Sequence, residues 1–510
     1  MRKMIALLLA LLMLFGMVAC GTQKTTDASV ADEPIPEAPT VDTPAEIPTD
    51  EPAETPVEEE REHVTLEFYS RCTEQPDQDA VFAAFNKYCE EKLNTTVNWH
   101  FLGGTFNDKV SVMINAGDPY DVVWTSNWSN DYATNVARGA YADLTDLLAN
   151  EPELVASMPE GFWDATRING RIYAVPCQQI AARTPAMTVT AEYALAFGMD
   201  HDTSRKTYYD FEDFIQFAFD TYGAKAAPVA EAVMGEYCGY EFLNGQASAA
   251  AVKYGDPSAT VVNFYATEEF KALCEEMRYF FEKGQLEPLA FTDIDLKYAE
   301  IISGRVSLYA DGTYKPGGEI ESSNSRGITL HQTPHDTSYL TTSSVIATMW
   351  AISASSQYPD RALEILSMLS TDPYAMNLIS WGIEGVHHTL EDGFMVMTEN
   401  GGYNPSASWA LGNVFLTHPM KGQPATVWEE TAEINASAEV SALIGFNVDI
   451  TNVETEITNV VSVFEQYKTV ASGSLPVDET LAEFNAKLED AGMNTILSEF
   501  QTQVDAFLAG

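Results

Sequence analysis

At 510 residues the chain can bury a sizeable core and exceeds the usual size of one domain, so two lobes are expected. Its 75 acidic residues against 27 basic ones give a formal net charge of −48, which repels phosphate backbones and argues against a nucleic-acid partner. Six cysteines without any Cys-x-x-Cys spacing give no zinc signature.

The chain opens with Arg2 and Lys3 and then an apolar stretch over residues 4–19, the charged and greasy halves of an export signal. Such a stretch falls short of the ~20 residues that span a bilayer as a helix. The stretch "MVAC" at residues 17–20 resembles the bacterial lipobox, which implies cleavage before Cys20 and a diacylglycerol on its thiol. Acyl chains there would hold the protein on a membrane that it does not cross. Residues 21–62 follow with seven prolines, thirteen acidic residues, two basic ones and no aromatic, a composition that cannot bury enough apolar surface to offset chain entropy. The region 20–62 therefore reads as a lipidated cysteine and an acidic, proline-stiffened tether, with residues 1–19 as the signal peptide. The other five cysteines are an odd number, which precludes complete pairing, and most are expected to be small buried hydrophobes.

Beyond the tether, "VTLEFYS" (64–70) alternates as a strand through Val64, Leu66 and Phe68. "DAVFAAFNKYCEEKL" places Val81, Phe85, Tyr88 and Cys89 on one helical face, and "TTVNWHFL" alternates again through Val97, Trp99 and Phe101. "FNDKVSVMINAGD" reads as a helix with Phe106, Val110, Met113 and Ile114 inward and Gly117 as C-cap. "YDVVWTS" is a short continuous apolar run, the pattern of a parallel strand covered on both faces. The order β, α, β, α, β predicts a doubly wound α/β sheet, whose ligands bind outside the carboxyl ends of the strands. Trp124, Ser126, Asn127 and Trp128 lie at or just past such an end.

These segments, with "INAGDPYDVVWTSNW", "ARGAYADLTDLL" and "FWDATRINGRIYAVP", resemble the N-terminal lobe of extracellular solute-binding lipoproteins of carbohydrate ABC importers, the maltodextrin-binding type. "EYCGYEFLNG", "GRVSLYADGTYKPGG" and the return "VIATMWAISASSQYPDRALEILSMLSTDPYAMNLIS" are similar to the second lobe and the passage back to the first, and the C-terminal stretch resembles the tail of a Gram-positive subgroup. The resemblance implies a two-lobed, type II periplasmic-binding-protein-like fold with a hinge. One lobe is expected from residues 63–178 and 343–385, the other from 180–340 and 390–510. It also implies a monomer on the extracellular face of the bacterial cell membrane that delivers a sugar to ABC permease subunits, with no cofactor, no metal and no catalysis. Such binding needs aromatic faces for sugar C–H groups and polar partners for hydroxyls, and 8 Trp and 23 Tyr supply the former.

By the same resemblance, Trp124 and Asn127 match a first-lobe cleft position, with Trp128 beside them, and Trp124 is the leading candidate. Gln178, Gln179 and Arg183 flank the hinge entry. Asp311 and Tyr314 match the place of a stacking aromatic in the second lobe. Trp381 and Glu384 follow a helix, Arg71 and Glu74 follow the first strand, and Trp350 is expected in the core. His387 and His388, being adjacent, point differently and are expected in a surface loop.

The sequence has no Walker A loop, no G-x-S-x-G elbow and no H-E-x-x-H. With 75 acidic residues, carboxylate pairs carry no information about glycoside hydrolysis. Three alternatives stay open: a surface-anchored glycoside hydrolase, a binding protein for peptides or amino-acid derivatives, and a structural or adhesive lipoprotein.

Overall fold

The computed structural model describes residues 61–199, 204–288, 294–399 and 401–509. The signal, Cys20 and the tether up to residue 60 lie outside them. The described chain begins with β1 (Val64–Ser70), α1 (Gln78–Leu93), β2 (Thr95–Phe101), α2 (Phe106–Ala116) and β3 (Val122–Thr125). Both helices end where a left-handed residue stops them, Asn94 at φ 49° and Gly117 at φ 70°. After β4 (Ala174–Pro176) the chain leaves this sheet.

A second sheet is built from β5 (Ala186–Thr190) and β6 (Lys225–Ala226), and a three-stranded antiparallel unit from β7 (Tyr240–Phe242), β8 (Ala250–Lys253) and β9 (Val262–Asn263). Helix α3 (Glu268–Glu282) precedes β10 (Val306–Asp311) and β11 (Leu330–Pro334), which complete the second sheet in the order β11-β5-β10-β6. The chain then returns as β12 (Met349–Ile352), which inserts between β3 and β4, so the first sheet runs β2-β1-β3-β12-β4. Strand β12 is antiparallel to both neighbours, while β1 is parallel to β2 and β3. A strand from far along the chain inserted within the first sheet is the mark of a two-lobed arrangement with more than one crossing.

Helices α4 (Pro359–Thr371) and α5 (Pro373–Trp381) cover the first sheet, and α6 (Val427–Ser437), α7 (Glu454–Tyr467), α8 (Val477–Asp490) and α9 (Met493–Leu508) close the chain. The first hydrophobic core gathers Phe68, Phe85, Trp99 and Trp350, with Phe68 and Trp99 edge to face at 5.1 Å. Each such ring contributes on the order of 2 to 3 kcal/mol by leaving water. The second core joins Phe214, Phe264 and Phe280 to Phe464, Phe484 and Phe500 of α7, α8 and α9.

Residues 403–411 depart from the expected division, in which 390–510 belong to the second lobe. Tyr403, Ala407, Ala410 and Leu411 pack in the first core. The Tyr403 hydroxyl donates to the Ile379 carbonyl at 2.7 Å, and Gly402 lies so close to Asp77 that a Cβ would stand 2.0 Å from its carboxylate. His387 and His388 are buried, contrary to the surface loop expected for them. The His387 Nδ1 accepts the Ile383 amide at 2.9 Å, so the buried ring serves to hold a turn. Four of the five described cysteines are buried and all five are free.

Three segments connect the two cores, and they lie side by side. Arg183 and Tyr339 exchange backbone hydrogen bonds of 2.7 and 2.9 Å, and Tyr339–Leu340 pairs in parallel with Glu439–Val440. The first segment is also pinned from α6: the Asn435 Oδ1 accepts the amides of Ala181 and Ala182 at 2.9 and 3.0 Å, and its Nδ2 donates to the Gln179 carbonyl at 2.7 Å.

Candidate functional site

Strand β3 is buried along its whole length and ends at Thr125, where the sheet order reverses around β1 and β3. The chain turns immediately. The Ser126 Oγ accepts the amides of Trp128 and Ser129 at 3.2 and 2.9 Å, and Asn130 adopts φ 49° while its Nδ2 donates to the Trp124 carbonyl at 2.8 Å. This tight loop pushes Trp128 outward, to 53% exposure, at the mouth of a cavity of about 700 Å³.

Asn127, Trp128 and Asp131 line this cavity from the first lobe, and Glu236, Phe242 and Tyr254 line it from the second. Arg183 and Ser343 belong to the connecting region, and Phe446 comes from the stretch beyond the last crossing. The Trp128 indole N–H is already spent on the Ala347 carbonyl at 2.9 Å, and the Arg71 guanidinium stands 4.3 Å from its ring centroid. The ring is thus held as a half-exposed platform whose remaining surface is apolar. Asn127 donates to the Ser343 carbonyl at 3.0 Å, tying the loop to the return segment.

Trp124, the leading sequence candidate, is fully buried and does not line the cavity. Its Nε1 donates to Thr348 Oγ1 at 3.0 Å, and its ring meets Phe106, Trp128 and Trp409 edge to face at 5.8, 5.5 and 6.3 Å. It supports Trp128 from below. Arg71 stands against the same three tryptophans and Glu74 is exposed; neither lines the cavity.

Gln178 is buried with its Nε2 donating to Ser157 Oγ at 3.1 Å, and the main-chain carbonyl of Gln179 accepts from Asn435; neither residue lines the cavity. Arg183 does reach the cavity, with Nη1 donating to Thr313 Oγ1 at 2.9 Å. The Asp311 carboxylate is occupied within the second sheet by Thr188 and Gln332 at 3.0 and 3.1 Å. Tyr314 is half-buried next to that contact, its amide donating to Thr184 at 2.7 Å, and it lies outside the cavity lining. Trp381 is buried and Glu384 is exposed on a turn, and neither lines the cavity. Of the twelve candidates, Asn127, Trp128 and Arg183 are brought together.

Most of the second-lobe wall was missed in the sequence. It is a hairpin-like stretch, residues 234–254, in which Gly235 is required: a Cβ there would lie 2.9 Å from both the Phe242 ring and the Tyr240 carbonyl. That close approach brings Glu236, Glu241, Phe242 and Tyr254 to the cavity. The glycines of "GEYCGYEF" were the available signal. Tyr254 stacks on Tyr339 of the second crossing at 4.1 Å.

Burial pushes the Glu236 carboxyl above its ordinary range, with Arg183 pulling it back, and burial pushes Glu241 up to about 7 despite a hydrogen bond from the Ser441 hydroxyl. Burial, with the charges of Glu236 and Glu241, also keeps the Tyr254 phenol protonated. Aromatic faces set beside hydroxyl and carboxylate acceptors suit a polyhydroxylated ligand, whose C–H faces stack while its hydroxyls donate. Among the described residues, no histidine or cysteine lines the cavity. Among the described residues no group of three or more His, Cys, Asp or Glu is placed to hold a metal ion.

Residues 74–184 match the bacterial extracellular solute-binding protein family, and residues 442–509 match a domain of unknown function, DUF3502. A carbohydrate ABC transporter substrate-binding protein of Streptococcus pneumoniae serotype 4 is 26% identical over 456 residues, covering 85% of this chain and 89% of that protein. The crystal structure of an N-glycan transport solute binding protein (NgtS) from Streptococcus pneumoniae superposes with a TM-score of 0.78 at 21% identity, over 88% of this chain and 99% of that one. The same protein in complex with Man1GlcNAc gives 0.73 at 21% identity, over 88% of this chain and all of that one. The fold is that of two-lobed α/β solute-binding proteins.

Proposed function

We infer that the chain is a bacterial extracellular solute-binding protein that captures a sugar or oligosaccharide between its lobes and delivers it to the permease of an ABC transporter. The observation that carries the oligosaccharide reading is the cavity of about 700 Å³ with the half-exposed Trp128 on one side and Phe242, Tyr254 and Phe446 on the other. That volume lies within the ~300–1,000 Å³ of ligand pockets. Stacking against Trp128 requires no chemistry on the sugar, and the protein releases its ligand unchanged.

The cavity draws its walls from both lobes, so a ligand that touches both favours the closed arrangement over the open one by its differential contacts. The paired crossings serve as the hinge, a few residues absorbing the rotation. The lipobox-like "MVAC" ending in Cys20, with the acidic stretch that follows, supports an anchor on the outer face of the cell membrane and a spacer. The monomer is the unit that presents the ligand to the permease.

Trp128→Ala tests the site. Mannose–N-acetylglucosamine oligosaccharides, which the structural relative binds, are the first ligands to titrate by calorimetry. Removing a stacking aromatic at the centre of a site costs ~2 kcal/mol or more, about thirtyfold in affinity. A bound oligosaccharide whose Kd is the same for Trp128→Ala and the parent protein would place the site elsewhere.

A further inference from the structure

Among the described residues, five carboxylates line the cavity, those of Asp131, Glu231, Glu236, Glu241 and Glu465, against the single cation Arg183. Three are engaged, one by a helix cap and two by a single shared cation. Asp131 caps a helix by accepting the Thr134 amide at 2.8 Å, and Lys468 reaches both Glu231 and Glu465, at 3.2 and 2.8 Å. Glu241 has only the Ser441 hydroxyl. Glu236 faces the cavity with the charge of Arg183 opposing its own and its own backbone amide as hydrogen-bond donor, and no side chain among the described residues donates to its carboxylate. The Arg183 guanidinium is itself engaged with Thr313. The wall that meets the ligand thus carries more carboxyl groups than cations, with Glu241 partly protonated near neutral pH.

Resting on the carbohydrate reading above, we propose that this cleft sorts oligosaccharides by charge: it admits those that are neutral or carry a protonated amine and rejects those carrying carboxylate groups, with Glu236 as the discriminating side chain. A sugar hydroxyl or ammonium adds a donor to the Glu236 carboxylate from the cavity side. A uronic-acid carboxylate brings a second anion and no donor into a partly dehydrated space, where like charges repel more strongly than in water. Arg183 is too few cations to offset both.

The test uses the full chain and oligosaccharides of matched length: N-acetylated chito-oligosaccharides, their N-deacetylated counterparts, neutral manno-oligosaccharides and oligouronates, ranked by thermal shift and titrated by calorimetry. The expected result is that every hit is neutral or amine-bearing, and that oligouronates bind at least tenfold more weakly than the best neutral ligand. Raising sodium chloride from low to high concentration narrows that ratio in the parent protein, because screening weakens the repulsion. Glu236→Gln narrows it as well. An oligouronate that binds within threefold of the best neutral ligand overturns the charge rule while leaving the carbohydrate reading intact. A panel in which no oligosaccharide of any charge binds overturns the carbohydrate reading and the charge rule with it.

Discussion

Asn435→Ala tests whether the first crossing is held in place by one side chain. Asn435 is only 8% exposed and makes three hydrogen bonds to that crossing, accepting from Ala181 and Ala182 and donating to Gln179. Both alanines are buried. Truncation orphans two amides and one carbonyl, each worth about 1 to 3 kcal/mol if it stays dry. A water entering the vacated carboxamide space satisfies part of that demand, which brings the expected loss to about 2 to 4 kcal/mol. Asn435→Asp keeps the acceptor for the two amides but sets a carboxylate oxygen against the Gln179 carbonyl, so its loss should be smaller than that of alanine at a pH where the carboxyl can protonate. Urea unfolding followed by tryptophan fluorescence, with the slope compared between variants, reads these values. A change below about 0.5 kcal/mol for Asn435→Ala, the size of an ordinary surface substitution, would refute the pinning argument.

Trp124→Ala should cost about 3 to 5 kcal/mol as a buried Trp truncation, and any loss of ligand affinity should follow from a misplaced Trp128; a fully stable variant with weakened binding would restore Trp124 to the cleft. Glu241 has a folded-state pKa raised to about 7 from 4.5, so the native state holds its proton more tightly than the unfolded chain and stability falls as pH rises from about 4.5 to about 7. A shift of that size corresponds to roughly 3 kcal/mol at most, and Glu241→Gln should remove that slope in melts compared with the parent from pH 5 to 8; parallel curves would refute it. Cys20→Ala should move the protein from the membrane fraction to the medium, and an undiminished membrane fraction would dismiss the anchor.

The first lobe was legible because its strands alternate: β1 shows inward Val64, Leu66 and Phe68 in both sequence and structure. The helix faces followed the same logic, with Val81, Phe85 and Cys89 buried as their spacing demands. The site was legible only to within a loop. Because β3 is covered on both faces, all four of its residues are buried, and no alternation distinguishes a Trp at its end that points to the cleft from one that points beneath it. Of the two candidate tryptophans, Trp124 lies beneath the loop and Trp128 lines the cavity for that reason. The second-lobe wall was hidden for a different one. It depends on the packing of Gly235 against Phe242 and Tyr240, a contact across a short excursion that no periodicity announces. Residues 403–411 were misplaced because a loop without regular elements has no pattern to assign it to either core, whereas Tyr403 finds its place through a single hydrogen bond and burial in the first core.

The chain passes between its two cores three times, and an odd number of passages leaves the two ends of the folded region in different bodies: Val64 lies in the first core and Val504 in the second. Any motion that turns one body against the other therefore changes the separation of the ends. Fluorescent labels near residues 62 and 509 become a gauge of ligand capture that touches neither the cleft nor the hinge. The same parity means that a force applied between the termini pulls directly on the three paired crossings, so the hinge is the first element under load when the molecule is stretched.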